Sequence, residues 1–133
     1  MAADPREWTL ILPFTKPLSL NDRTASWQRW YRLTKPWKDT AIVLARKHRI
    51  PPLDHFTAVL EYAPRLKRVR DAPNLEAVMK PLVDGLVAHG IAPGDDPRYY
   101  TPTTPVIHEA TGEPGRLWLV VRELPTPEGD PTL

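Results

Sequence analysis

The sequence predicts an α+β fold: a single domain of order β-α-β-α-β-β, with a small mixed sheet packed by two helices. Three observations carry this expectation. Apolar residues alternate at period two near the start, recur at helical spacing in two later stretches, and return to short strand-like runs near the end. The chain has 133 residues, the size of one domain with its own core. The domain is expected to span residues 1–124, with 125–133, rich in Pro, Gly and acids, as a disordered tail.

Each element has its own signal. Trp8 to Phe14 reads as a strand, because Trp8, Leu10, Leu12 and Phe14 share one face, and Pro13 places its end at an edge. Thr15 to Thr34 reads mostly as loop, with room for a short helix at Trp27–Tyr31. Thr34 then suits an N-cap and Pro36 a first helical turn. Trp37, Ala41, Leu44, Ala45 and His48 form the stripe of that helix, which Ile50-Pro51-Pro52 ends. Phe56 to Tyr62 is apolar on both faces except at Glu61, which fits a central strand. Leu75, Met79, Leu82 and Leu86 mark a second helical region over 75–89. Pro81 argues for a break there, with one turn at 75–79 and a new helix after it. Gly90 is a stop. Pro105–Ala110 and Leu117–Glu123 read as a hairpin joined through Thr111 to Gly115.

Composition narrows the function classes. The chain contains no cysteine, which excludes disulfides and thiolate metal sites. No apolar run reaches membrane-spanning length and no signal peptide is visible, so a cytoplasmic protein is the expectation. The net charge of +2 hides a polarity: residues 1–70 hold 14 Lys and Arg against 6 Asp and Glu, whereas 71–133 hold 4 against 10. Such asymmetry fits a polyanionic partner or an acidic site, or two halves that mix in space on folding.

The charged motifs lie close in sequence. Arg65-Leu66-Lys67-Arg68-Val69-Arg70 is a basic run followed at once by Asp71, and Asp95-Asp96 comes after the second helical region. Carboxylates from two loops suit Mg²⁺, which takes hard oxygen ligands, and adjacent arginines suit phosphates. Asp95-Asp96 before a proline is equally ordinary turn chemistry. Lys80 and Asp84, four apart, form either a surface ion pair or a charged group facing the acidic cluster. Arg23 to Lys38 interleaves Arg29, Arg32 and other cations with Trp27, Trp30, Tyr31 and Trp37; this is either a strand-tracking surface or a core stripe with a solvated face. The four histidines show no metal-ligand spacing.

Taken together, Arg70-Asp71-Ala72-Pro73-Asn74-Leu75, Lys80-Pro81-Leu82-Val83-Asp84-Gly85-Leu86, Gly90-Ile91 and Asp95-Asp96 resemble the signature of the RusA family of Holliday-junction resolvases. Leu12-Pro13, Ser19-Leu20-Asn21 and Thr34 to Lys38 resemble the first strand, asparagine loop and first helix of actinobacterial and phage members. The resemblance covers roughly residues 8–123. It implies a homodimeric, Mg²⁺-dependent endodeoxyribonuclease, with Mn²⁺ as a substitute, that binds four-way DNA junctions by shape and resolves them in recombination and repair. By position it implies Asp71, Asp95 and Asp96 as metal ligands and Asp71, Asp96, Lys80 and Asp84 as catalytic residues. It further implies Arg65, Lys67, Arg68, Arg70, Arg29, Arg32, Asn21 and Asn74 as DNA contacts. One position departs: Pro73 stands where the family has an aspartate, and a proline has no side-chain oxygen for a metal. The alternative is therefore a junction-binding protein that cleaves weakly or not at all.

Overall fold

The computed structural model describes residues 5–19, 26–68 and 71–125. The tail expected from 125 onward lies outside these residues except at Pro125, as do Asn21 and Arg70. Two helices pack on one face of a five-stranded mixed sheet. The elements in order are β1 (Glu7–Leu12), α1 (Trp27–Lys47), β2 (Phe56–Ala63), α2 (Asp71–His89), β3 (Tyr100–Thr101), β4 (Val106–Ile107) and β5 (Arg116–Glu123). Strand order is β1-β5-β2-β3, with β4 also paired to β2. β1 and β5 are antiparallel, as are β2 and β5, whereas β3 and β4 run parallel to β2. The α+β class is the one expected from the sequence, and the order follows the expected β-α-β-α-β-β with the short strand β3 added.

Register explains the core. Leu119 pairs with Leu10 on one side and Leu60 on the other, and all three are fully buried. Burying each such side chain stabilises the fold by about 1.5–3 kcal/mol. The opposite face carries Ile11, Trp118 and Glu61 in one row, and Ile11 is 66% exposed there. β1 therefore has the half-buried alternation of an edge strand, and β2 is central as its apolar run predicts.

Three expectations change. First, α1 begins at Trp27, not near Thr34. Ser26 is its N-cap, with extended backbone and an Oγ that accepts the Arg29 N–H at 3.0 Å. Thr34 instead turns its hydroxyl back to the Tyr31 carbonyl at 3.3 Å, and Pro36 lies inside the helix. Second, α2 is one helix through Pro81. A proline there costs about 3 kcal/mol. Leu75, Val78, Leu82 and Leu86, all fully buried on either side of it, repay more than that. Pro73 sits in the first turn of the same helix, where a missing N–H costs nothing. Third, the expected hairpin does not form. β4 is a two-residue strand beside β2, while β5 crosses to lie between β2 and β1. An eight-residue strand with Leu117, Leu119 and Val121 fully buried gains more from two neighbours than from one.

Both helices end in the same motif. At Gly90 (φ 109°) the Gly90 N–H reaches the Val87 carbonyl at 2.9 Å and the Ile91 N–H reaches Leu86 at 3.1 Å. At Arg49 (φ 53°) the Arg49 N–H reaches Arg46 at 3.0 Å and the Ile50 N–H reaches Ala45 at 3.1 Å. No described helix is long and apolar enough to cross a membrane.

Candidate nucleic-acid interface and acidic sites

At the C-terminal end of β2 three loops enclose a cleft of about 850 Å³. Residues 15–19, which follow β1, form one wall. Arg65, Leu66 and Arg68 form the second, and Pro114 with Gly115 the third. Its floor holds Tyr62, Asp71 and Asn74. The walls meet closely: a Cβ on Gly115 would collide with the Thr15 carbonyl and come within 3.3 Å of the Tyr62 ring. Glycine is therefore required where these loops cross.

Asp71 opens α2 and is only 6% exposed. Its carboxylate accepts the Arg68 backbone N–H at 3.0 Å, and the Asp71 N–H donates to the Arg68 carbonyl at 3.1 Å. Arg68 and Asp71 are thus tied together, with the acid at the positive end of the helix dipole. Burial, with Asp71 nearby, raises the pKa of the Tyr62 phenol, so its hydroxyl stays protonated at neutral pH.

A second acidic cluster lies elsewhere. Lys80 donates to Asp95 at 2.6 Å and pairs with Asp84 at 2.9 Å. Hydrogen bonds to these two carboxylates, Asp95 first, raise the pKa of the Lys80 ammonium. Asp96 faces away, forming a two-pronged pair with Arg98 at 3.0 Å that holds its carboxyl below the usual range. The loop that carries both aspartates is anchored at the N-terminal end of β2. Phe56 donates to the Tyr99 carbonyl at 2.9 Å, and buried His55 bridges the Arg98 carbonyl (3.0 Å) and the Thr101 hydroxyl (2.7 Å).

The residues singled out from sequence therefore divide. Asp71, Arg65, Arg68 and Asn74 meet in the cleft. Lys80, Asp84 and Asp95 meet midway along α2, nine residues or two and a half turns of helix from Asp71 and so on its opposite side. Lys67 pairs with Glu109 at 2.9 Å on the exposed surface. Arg29 and Arg32 are exposed on the first turns of α1, whose flank forms a shallow groove with α2 between Tyr31, Lys38 and Lys80. Trp37 is core, stacked on Phe14 at 3.9 Å between ring centres, whereas Trp27 is 73% exposed. Lys16 and Tyr62 carry no site signal in the sequence. They reach the cleft from chain positions about 50 residues apart, and no local spacing marks them.

The acidic donors suit Mg²⁺ in chemistry, being hard carboxylate oxygens. They do not form one cage: among the described residues no three His, Asp or Glu side chains converge. Since Mg²⁺ usually keeps several waters and takes only one or two carboxylates, Asp71 in the cleft fits a hydrated ion beside a phosphate. Asp84 and Asp95 share the Lys80 ammonium instead.

No protein-family model matches the chain, and no curated protein matches it at a significant level.

Proposed function

We propose that the protein is a structure-selective endodeoxyribonuclease of the RusA kind, acting on four-way DNA junctions. The observation that supports this most is the cleft, where the buried Asp71 carboxylate lies among Lys16, Arg65 and Arg68. Cations hold phosphate and fix its register, and a carboxylate beside them is what phosphodiester hydrolysis needs. The signature motifs around Asp71, Lys80 and Asp95-Asp96 give the same reading from sequence. In this reading Arg65, Lys16 and Arg68 bind and orient the backbone, and Asp71 holds a hydrated Mg²⁺. That ion, when bound, acidifies water and neutralises charge at the phosphorus. Lys80 positions the Asp95 loop.

A second reading is a junction-binding protein that does not cut. Two observations favour it: Pro73 removes a carboxylate from the first turn of α2, and Asp95 and Asp96 are each held by a cation of this chain.

Nicking of a labelled four-way junction with and without Mg²⁺ separates the two. The nuclease reading expects cleavage that Asp71→Asn abolishes while junction binding survives. A wild-type rate in that variant would refute the assigned site. Junction binding without product in Mg²⁺ or Mn²⁺, with cleavage appearing in Pro73→Asp, is the outcome the second reading expects.

A further inference from the structure

Leu66 lies in the middle of the basic loop and is 63% exposed at the lip of the cleft. Most of the Leu66 side chain faces solvent, and Arg65, Lys67 and Arg68 beside it are all exposed as well. The cleft behind it has an apolar side formed by Pro17, Leu18 and Tyr62, and a polar floor at Asp71 and Asn74. A volume of about 850 Å³ is far too small for a duplex but admits a nucleotide released from one. Apolar side chains that separate base steps, flanked by phosphate-binding cations, are a recurrent device of proteins that distort DNA.

We propose that Leu66 is a wedge that inserts at the branch point and that the cleft receives the nucleotide it unstacks. This rests on the branched-DNA reading above and names the substrate feature it selects: an unpaired nucleotide at the branch, not the duplex arm. Arg65 and Arg68 hold the flanking phosphates. Leu18, half-buried on the cleft wall, offers an apolar surface to the base. Linear duplex, which is unstacked only at a cost of a few kcal/mol per step, binds through phosphate contacts alone.

The test uses the full chain and a four-way junction carrying a fluorescent aminopurine at the branch, whose emission rises when it leaves the stack. Binding is followed in parallel by gel shift on the junction and on a linear duplex. Wild-type protein is expected to raise the emission severalfold. Leu66→Ser, a surface change, is expected to abolish the rise and weaken junction binding about tenfold, with duplex binding unchanged. Leu66→Phe keeps both signals. A junction that shifts on the gel without any emission change overturns the wedge and leaves the DNA reading standing, as does a Leu66→Ser variant indistinguishable from wild type. Absence of any junction shift overturns both.

Discussion

Gly85 shows how one residue sets the distance between two helices. It is fully inside the α1–α2 contact, and a Cβ there would meet the Ala41 Cβ at 2.7 Å and crowd the Lys38 carbonyl still more. Alanine would gain about 1 kcal/mol of helix propensity over glycine. Overpacking against a backbone carbonyl costs about 1–3 kcal/mol, because Lys38 cannot retreat without moving α1. With contacts this close the second effect is the larger, so Gly85→Ala is expected to lower the midpoint of denaturant unfolding by the equivalent of up to about 2 kcal/mol. A midpoint equal to or above wild type would show that the helices are free to separate. Gly85 stood in the sequence only as part of a motif. Its packing role depends on Lys38 and Ala41, more than 40 positions earlier, which no local pattern joins to it.

At the scale of elements, legibility followed periodicity. β2 and the stripe of α2 were readable because Phe56–Tyr62 is apolar on both faces except at Glu61 and Leu75, Met79, Leu82 and Leu86 recur at helical spacing. The start of α1 was misplaced because Pro36 resembles a first-turn proline, while the true cap, Ser26, follows a stretch without apolar rhythm. The β4–β5 hairpin failed because partner choice in a sheet depends on burial on both faces, which turn residues do not encode. The candidate site was half legible: Asp71 and the basic loop are contiguous in sequence, whereas Lys16, Tyr62 and Gly115 join them only in space. The Asp95–Asp96 loop depends on a tie that sequence did not reveal. His55 is 3% exposed and bonds both the Arg98 carbonyl and the Thr101 hydroxyl. His55→Ala leaves a cavity and two part-buried groups without their partner, so a loss of about 1–3 kcal/mol is expected. Amide exchange at Tyr99 to Thr101 should quicken most. Uniform quickening along the chain, with no excess in this loop, would deny His55 its local anchoring role.

For the whole molecule, the ionisable groups with shifted pKa values define a stability plateau. On the acid side, Asp96 beside Arg98 and Glu123 beside Arg6 have lowered pKa values. The stability they contribute is present above the ordinary carboxylate range and is lost as pH falls through their lowered values. Both pairs lie at the surface and are screened by solvent, so this edge is shallow. The alkaline edge has more behind it. Burial raises the phenols of Tyr62, at the cleft, and Tyr100, beside Asp95; carboxylate partners raise the Lys80 ammonium. For each of the three, the unfolded chain gives up its proton first, so folding holds the extra proton and stability falls as pH climbs. The loss begins near the ordinary values, about 10 for tyrosine and 10.5 for lysine, and is complete once the raised values are passed. The two tyrosines stand at opposite ends of β2, too far apart to share a partner, so their contributions add. Thermal unfolding followed from pH 8 to pH 12 is therefore expected to show a flat melting temperature up to about 10 and a decline beyond it. Tyr62→Phe and Tyr100→Phe should each flatten part of that decline, and the double variant should flatten the sum. If the double variant declines as steeply as wild type, the alkaline edge belongs to lysines at the surface and the two phenols are not its source.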